Sequence, residues 1–238
     1  MCGRFSITTG AAAIAALFDL DAPGFELGID HNVTPTSDIW TVIEDDDGRR
    51  LDASHWGLVP SWAKDPSIGS RMINARCETA AEKPAFRAAY RRRRCLIPVS
   101  GFYEWTPVAG SKKKQPIHIS GRSEPLLVFA GLWELWQAPD GSTLRSCAIL
   151  TTTPNATIEP FHDRMPVILA RDDWRRWTDP ATSDVADLLR PAPDDLLQLW
   201  PVSTEVNSAR ASGAHLIEPV EPIAPSEPGQ IPGQGTLL

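Results

Sequence analysis

Between Cys95 and Thr153 the chain passes through five segments in succession: Cys95–Val99, Gly101–Trp105, Pro116–Ser120, Leu126–Trp136 and Thr143–Thr152. Each is rich in β-branched and aromatic residues, and Gly and Pro separate them. No helical pattern falls between them, so the regular strand-helix alternation of a doubly wound parallel sheet is missing. The expected fold is therefore α+β, a single domain of curved, mostly antiparallel β-sheets forming a barrel-like core, with short helices at the periphery.

The flanking sequence fills in that picture. Ala11–Phe18 carries apolar residues at helical spacing behind a capping Thr9 and reads as a short helix. Ile39–Glu44 and Arg49–His55 flank the turn Asp45-Asp46-Asp47-Gly48 and read as a hairpin. Thr79-Ala-Ala-Glu82 has the pattern of a capping box, predicting a helix that runs to about Arg91, with Pro84 close enough to its start to be tolerated. Pro166–Ala170 adds a short strand. Asp172–Trp177, Asp184–Leu189 and Asp194–Leu199 read as short acidic-capped helices. From Glu218 onward Pro and Gly recur with few large apolar residues, so residues 1–217 are expected to form the domain and 218–238 a disordered tail.

With 238 residues and 42% hydrophobic content, the chain can build one substantial core. It has no run of 18 apolar residues and no signal-peptide pattern at its start, so a soluble, cytoplasmic protein is expected. Cys2, Cys77, Cys95 and Cys147 are scattered without a C-x-x-C pair, which points to neither a zinc site nor a disulfide framework. No metal and no cofactor are expected.

The net charge of −7 argues against a general polyanion binder, yet its distribution is uneven. Residues 61–122 hold 13 Lys and Arg against four Asp and Glu, a net +9 within an acidic protein. Local positive potential is what phosphate binding needs, because charges more than about 10 Å apart are largely screened. Taken in isolation, Arg91–Arg94 and Lys112–Lys114 read as solvated cationic faces.

Cys2 by itself reads more readily as an accident of position; the other reading is a reactive terminus. Removal of Met1, the usual fate of a methionine before so small a residue, makes it a terminal 1,2-aminothiol. Such a group attacks an aldehyde twice, first as an imine and then by closure to a thiazolidine. Amine and thiol titrate at about 7.7–8.0 and about 8.5, so both nucleophiles are expected to be available near neutrality without strong tuning.

Five motifs in fixed order accompany it: Cys2-Gly-Arg-Phe, Trp56-Gly-Leu-Val-Pro-Ser-Trp62, Ile73-Asn-Ala-Arg76, Gly101-Phe-Tyr-Glu-Trp105 and Phe161-His-Asp-Arg-Met-Pro166. Together they resemble the SRAP (SOS-response-associated peptidase) family, whose members crosslink through a terminal cysteine to abasic sites in single-stranded DNA. The resemblance runs from Cys2 to about Pro219. It implies Cys2 as nucleophile and Glu104 as catalytic carboxylate, with His162 as active-site histidine. It also implies a partner, single-stranded DNA containing abasic sites, and a protein that works as a monomer and associates with the nucleoid when DNA is damaged.

The residue types suit those roles. A carboxylate flanked by aromatics has a raised pKa and can alternate between acid and base, which fits Glu104. A histidine near neutrality can hand a proton to a departing sugar oxygen. The Asn74 amide offers a donor and an acceptor for the opened sugar, and Arg76, two residues on, faces the same side of an extended segment with a phosphate contact to offer. Arg164 and Arg4 are further phosphate candidates, and Arg4 serves equally well as a structural bridge. Trp62, in a Pro60-Ser-Trp loop, is placed to stack on a base, whereas Trp56 and Trp105 go to the core or pocket wall. Asn32-Val-Thr-Pro35 resembles the family's turn near the active cysteine, which implies that Pro35 lines the pocket, with Thr151–Thr153 and Asn155 completing its wall. His31, His55, His118 and His215 receive no role.

Two other readings use the same residues. An N-terminal-nucleophile peptidase or amidohydrolase would employ Cys2, Glu104 and His162 for acyl transfer, although such enzymes usually present a four-layer sandwich with long helices. A non-covalent single-strand binder would rely on the basic middle and loop aromatics alone.

Overall fold

The computed structural model describes residues 2–110 and 112–224. In chain order its strands are β1 (Phe5–Ile7), β2 (Asp30–Val33), β3 (Asp38–Asp45), β4 (Gly48–Trp56), β5 (Asn74–Arg76) and β6 (Arg94–Val99). They continue with β7 (Gly101–Pro107), β8 (Lys114–Gly121), β9 (Leu127–Gln137), β10 (Thr143–Thr152), β11 (Met165–Pro166) and β12 (Leu197–Pro201). Four short helices, α1 (Ala11–Leu17), α2 (Cys77–Ala80), α3 (Arg87–Arg92) and α4 (Trp174–Thr178), lie among 3₁₀ turns.

The five β-textured segments become β6 to β10, and they build two sheets. One has the order β12-β8-β7-β1-β2. In the other, β10-β4-β3-β6-β9 closes on itself because β9 also pairs with β10, with β11 and β5 added to β10. Closure removes the free edges that an open sheet would expose. The α+β expectation, with a barrel-like core and small peripheral helices, is what the structure shows. No helix among the described residues is long and apolar enough to cross a membrane.

Several local expectations are corrected. The helix predicted from Thr79 to Arg91 is two pieces, α2 and α3, because Pro84 disfavours helical backbone at Lys83 and the chain turns between them. Thr79 lies within α2 instead of capping a new helix: its carbonyl accepts from the Glu82 and Lys83 backbone amides at 3.1 and 2.9 Å. Asp194–Leu199 is a single 3₁₀ turn followed by β12, since its apolar residues pair with β8. Of the cationic run, Arg91 and Arg92 are exposed, whereas Arg94 is buried at the start of β6. Its guanidinium is caged by the carbonyls of Trp177, Tyr90, Asp179 and Thr182, which satisfies a charge that could not otherwise leave water. Residues 218–224 are tied to the body, Val220 N–H donating to Pro201 O and Ile223 N–H to Gln115 Oε1. The remainder of the expected tail, 225–238, lies outside the described residues.

One topological detail positions the site. β4 and β5 both pair in parallel with the same edge of β10, β4 at Ser146–Cys147 and β5 at Ile149–Thr151. The intervening loop leaves the ladder at Gly57, whose N–H donates to Cys147 O, and rejoins it at Ile73, whose carbonyl accepts from Ile149 N–H. Its neck is closed by Gly57 against Gly69. Gly57 has φ +142, and a Cβ there would sit 2.7 Å from Gly69 O. Gly57→Ala therefore meets both backbone strain and overpacking, which together cost about 1–3 kcal/mol. The expected result is a fall in Tm of about 3–10 °C in a thermal melt; an unchanged Tm would show that the neck yields freely.

Candidate active site

Cys2 lies where the two sheets meet. β1 pairs with β7, Phe5 opposite Phe102, and Tyr103 N–H donates to Arg4 O, so the register continued by one step puts Gly3 opposite Glu104. From the other sheet, Asn74 at the start of β5 donates its Nδ2–H to Cys2 O at 2.8 Å. Asn74 Oδ1 is buried with no hydrogen-bond partner among the described residues, an acceptor facing the same locality. Two features hold this arrangement. Trp56, fully buried at the end of β4, packs against Phe5 with ring centroids 5.0 Å apart, and its Nε1–H donates to Ile73 O at 3.0 Å. One indole thus fastens both the nucleophile's strand and the residue before Asn74.

Glu104, on β7, is 5% exposed. Burial raises its carboxyl to about 7, with the negative charge of Asp163 adding to the rise. His162 follows a turn in which its backbone N–H donates to Ile158 O. Arg164 N–H donates to His162 Nδ1 at 2.9 Å, and Asp163 Oδ1 lies 2.8 Å from the same nitrogen. The neutral ring can accept from the amide there, which leaves Nε2 to carry the proton, whereas a protonated ring turns to Asp163. Burial lowers the His162 pKa, favouring the neutral form at pH 7.

The Cys2 thiol departs from the sequence expectation. With Met1 still attached Cys2 is fully buried, and burial, followed by the Glu104 carboxylate, pushes the thiol well above its ordinary range. A free thiolate near neutrality is therefore not available. A thiol in this setting ionises only with a neighbouring base to take its proton, and the Glu104 carboxyl is close enough for its charge to act on Cys2.

The remaining residues divide. Arg76 is exposed at the end of β5, on the face shared with Asn74. Trp62 is 60% exposed, while the loop beneath it is pinned by Trp136 Nε1–H donating to Ala63 O. Arg164 is not presented to solvent. It is buried in a two-pronged pair with Glu78, at 2.6 and 2.8 Å, and also donates to Thr151 O. Since Thr151 is opposite Arg76 in the β5–β10 ladder, this pair braces the strand that carries Arg76. Arg4 likewise serves structure, donating to Asn32 Oδ1 and Val206 O. Pro35 opens the β2–β3 turn, which is clasped to Trp56 by Thr36 N–H to Trp56 O and Trp56 N–H to Ser37 O. Trp105, part-buried, donates to Asn207 Oδ1. Thr151 and Thr152 are buried along β10, whereas Asn155 is spent on the carbonyls of Ala192 and Pro193. His118 is a core residue: burial lowers it to about 4, it bonds Ser6 Oγ, and its ring fills the space a side chain at position 101 would need.

Sequence reasoning missed Glu78 and Asn32. Glu78 gave no signal beyond an acidic residue near a helix start. Asn32 was visible only as part of a turn, yet its Nδ2 donates to Ser208 O and Ala211 O, binding the C-terminal segment to β2. Among the described residues no group of His, Cys, Asp or Glu converges to hold a metal ion.

A buried cysteine at the second position meets an asparagine and a near-neutral glutamate across the seam of two β-sheets, on a closed-barrel α+β fold. The model of the SOS response associated peptidase (SRAP) family matches residues 1–209, and the chain belongs to that family. It is 42% identical over 223 residues to abasic site processing protein YoqW of Bacillus subtilis, covering 92% of this chain and 99% of that one. It is 31% identical to mouse abasic site processing protein HMCES, over 77% of this chain and 61% of that protein. A crystal structure of a Bacteroides thetaiotaomicron protein superposes with TM-score 0.82 at 22% identity, covering 92% of this chain and all of that one, a likeness of fold.

The four cysteines differ in accessibility. In a chain that retains Met1, iodoacetamide at pH 7 is expected to alkylate half-buried Cys77 first, with Cys2, Cys95 and Cys147 protected by burial. Peptide mass mapping over a labelling time course reads the order, and early labelling of Cys2 would refute the buried-thiol assignment.

Proposed function

We propose that this protein captures abasic sites in single-stranded DNA by forming a thiazolidine between mature Cys2 and the ring-opened sugar aldehyde, shielding the lesion. The observation that carries the reading is the meeting of Cys2, Asn74 and a Glu104 whose carboxyl titrates near 7. Membership in a family with relatives named abasic site processing proteins supports the substrate class.

The chemistry balances with the chain's own groups. Loss of Met1 converts the Cys2 amide nitrogen into an amine, which adds to the aldehyde carbon. Expulsion of the carbinolamine oxygen as water, with a proton supplied by the Glu104 carboxyl, leaves the protonated imine. The Cys2 sulfur then adds to its carbon, the thiol proton passing to the Glu104 carboxylate, and the nitrogen, which has kept its own proton, becomes the neutral secondary amine of the ring. One water is released and no electrons are exchanged. Glu104 must give a proton in one step and take it in the next, and a pKa matched to ambient pH serves both. Neutral His162, with its proton on Nε2, can donate to the opened sugar's oxygen. Asn74 Oδ1 can accept from a sugar hydroxyl, and Arg76 can meet a flanking phosphate. Trp62 offers a stacking surface, typically worth about 1–3 kcal/mol per base.

Cys2→Ala is expected to abolish the denaturant-resistant adduct on an abasic oligonucleotide, because an amine alone yields only a hydrolysable imine; a stable adduct on a denaturing gel from that variant would overturn the proposal. Glu104→Gln should slow adduct formation by about 10²-fold or more, the lower end of general acid–base contributions. The pH profile supplies a second check. Ring closure needs the carboxylate, so the wild-type rate should rise with pH through an inflection near 7. Glu104→Gln should lose that inflection and retain only the limb belonging to the terminal amine, at about 7.7–8.0. An inflection near 7 that survives the substitution would remove Glu104 from the proton transfers.

A further inference from the structure

Lys112, Lys113 and Lys114 sit where the β7–β8 hairpin rejoins β8, and all three are exposed. The same hairpin carries Glu104. Lys114 pairs with Pro107 and Ile117 with Glu104, so three residues of ladder separate Lys114 from the site, roughly 10 Å of extended chain, with Lys113 and Lys112 successively further out. The charge reaches the site: Lys114 acts on both Glu104 and His162, after the larger effect of their burial. The base of the hairpin is held firmly. Gln115 donates to Val202 O and accepts from Ile223 N–H, and Trp105 is tied to Asn207. A firmly held base therefore carries Lys114 near the site, with Lys113 and Lys112 continuing the cationic run outward, at small additional ordering cost.

The placement relative to Arg76 gives these lysines meaning. Arg76 stands on β5, in the seven-stranded sheet, and the lysines stand on β8, in the five-stranded sheet. Cys2 lies at the meeting of the two. A polyanion whose reactive sugar sits on Cys2 thus has Arg76 on one of the two sheets and the lysine run on the other. Solvation alone explains a lysine run on an acidic protein only until the run is found bordering the reactive centre.

We propose that Lys112–Lys114 form a second phosphate-binding rail, engaging the backbone of the single strand on the side of the reactive nucleotide opposite to Arg76. This rests on the reading of the site as one for single-stranded DNA. Its ligand chemistry is the phosphodiester, with no base selectivity, because an ammonium is a point charge without a planar fork. The rail fixes the direction in which a strand crosses the seam, and it requires nucleotides on both sides of the lesion for full affinity.

The test measures non-covalent binding of the full-length mature protein to an intact fluorescent 15-mer single strand across a salt series. Each phosphate contact to a single strand contributes about −0.7 to the slope of log affinity against log salt. Replacing all three lysines by glutamine is expected to make that slope less negative by about 2 and to weaken binding about ten- to a hundredfold at 0.1 M salt. Lys→Arg at all three positions should restore both, since charge is what acts. On strands truncated on one side of a central abasic site, wild type and the glutamine variant should differ for one truncation and coincide for the other. An unchanged slope in a glutamine variant of wild-type Tm overturns the rail, and so does a difference that survives both truncations. Absence of any denaturant-resistant adduct from wild-type protein would instead count against the crosslinking reading, leaving the salt slope on intact strands to decide the rail by itself.

Discussion

A single buried indole holds the site together. Trp56 packs on Phe5 of the strand leading to Cys2, bonds the carbonyl of Ile73 just before Asn74, and is clasped through its backbone by the turn at Pro35. Without it, the two sheets would still form, since their ladders do not depend on one side chain. What would be lost is the relation between them. Truncating a buried aromatic of this size typically costs about 3–5 kcal/mol, and here the cost would fall on the geometry that brings nucleophile and amide together.

The second constraint is desolvation. A terminal thiol and a carboxylate in water would each keep an ordinary pKa and neither would be tuned to the other. Burial lifts both, the Cys2 thiol out of reach of spontaneous ionisation and Glu104 to about 7. The consequence is that the thiol stays protonated near neutral pH while the carboxyl populates both of its forms there. The same desolvation keeps His162 neutral, so that the ring's proton is available at one nitrogen while the other is engaged by the Arg164 amide.

Arginines show how position overrides residue type. Arg4, Arg76, Arg94 and Arg164 all come from sequence that reads as basic. Three of them are consumed: Arg4 by Asn32 and Val206, Arg94 by a cage of carbonyls, and Arg164 by Glu78 and Thr151. Only Arg76 of the four stands exposed on the face shared with Asn74. Partnered guanidiniums are spent inside the fold, where each charge meets a fixed acceptor.

Much was legible in the linear chain. Dense β texture without intervening helices dictated antiparallel sheet, because strands joined by a few residues have no other way to pair, and the five motifs in fixed order marked the family. Local signals failed where partners distant in sequence decided the outcome. The apolar residues of 197–201 became a strand because β8 offered an edge, and Pro84 split a helix that propensity alone would have continued. The arginine assignments, the Glu78 brace and the raised thiol all depend on which groups burial places side by side. Residue order determines what chemistry a chain carries and which segments are extended; only folding decides which charges meet a partner and which groups lose their water, since both are sums over neighbours that the chain brings together from far apart.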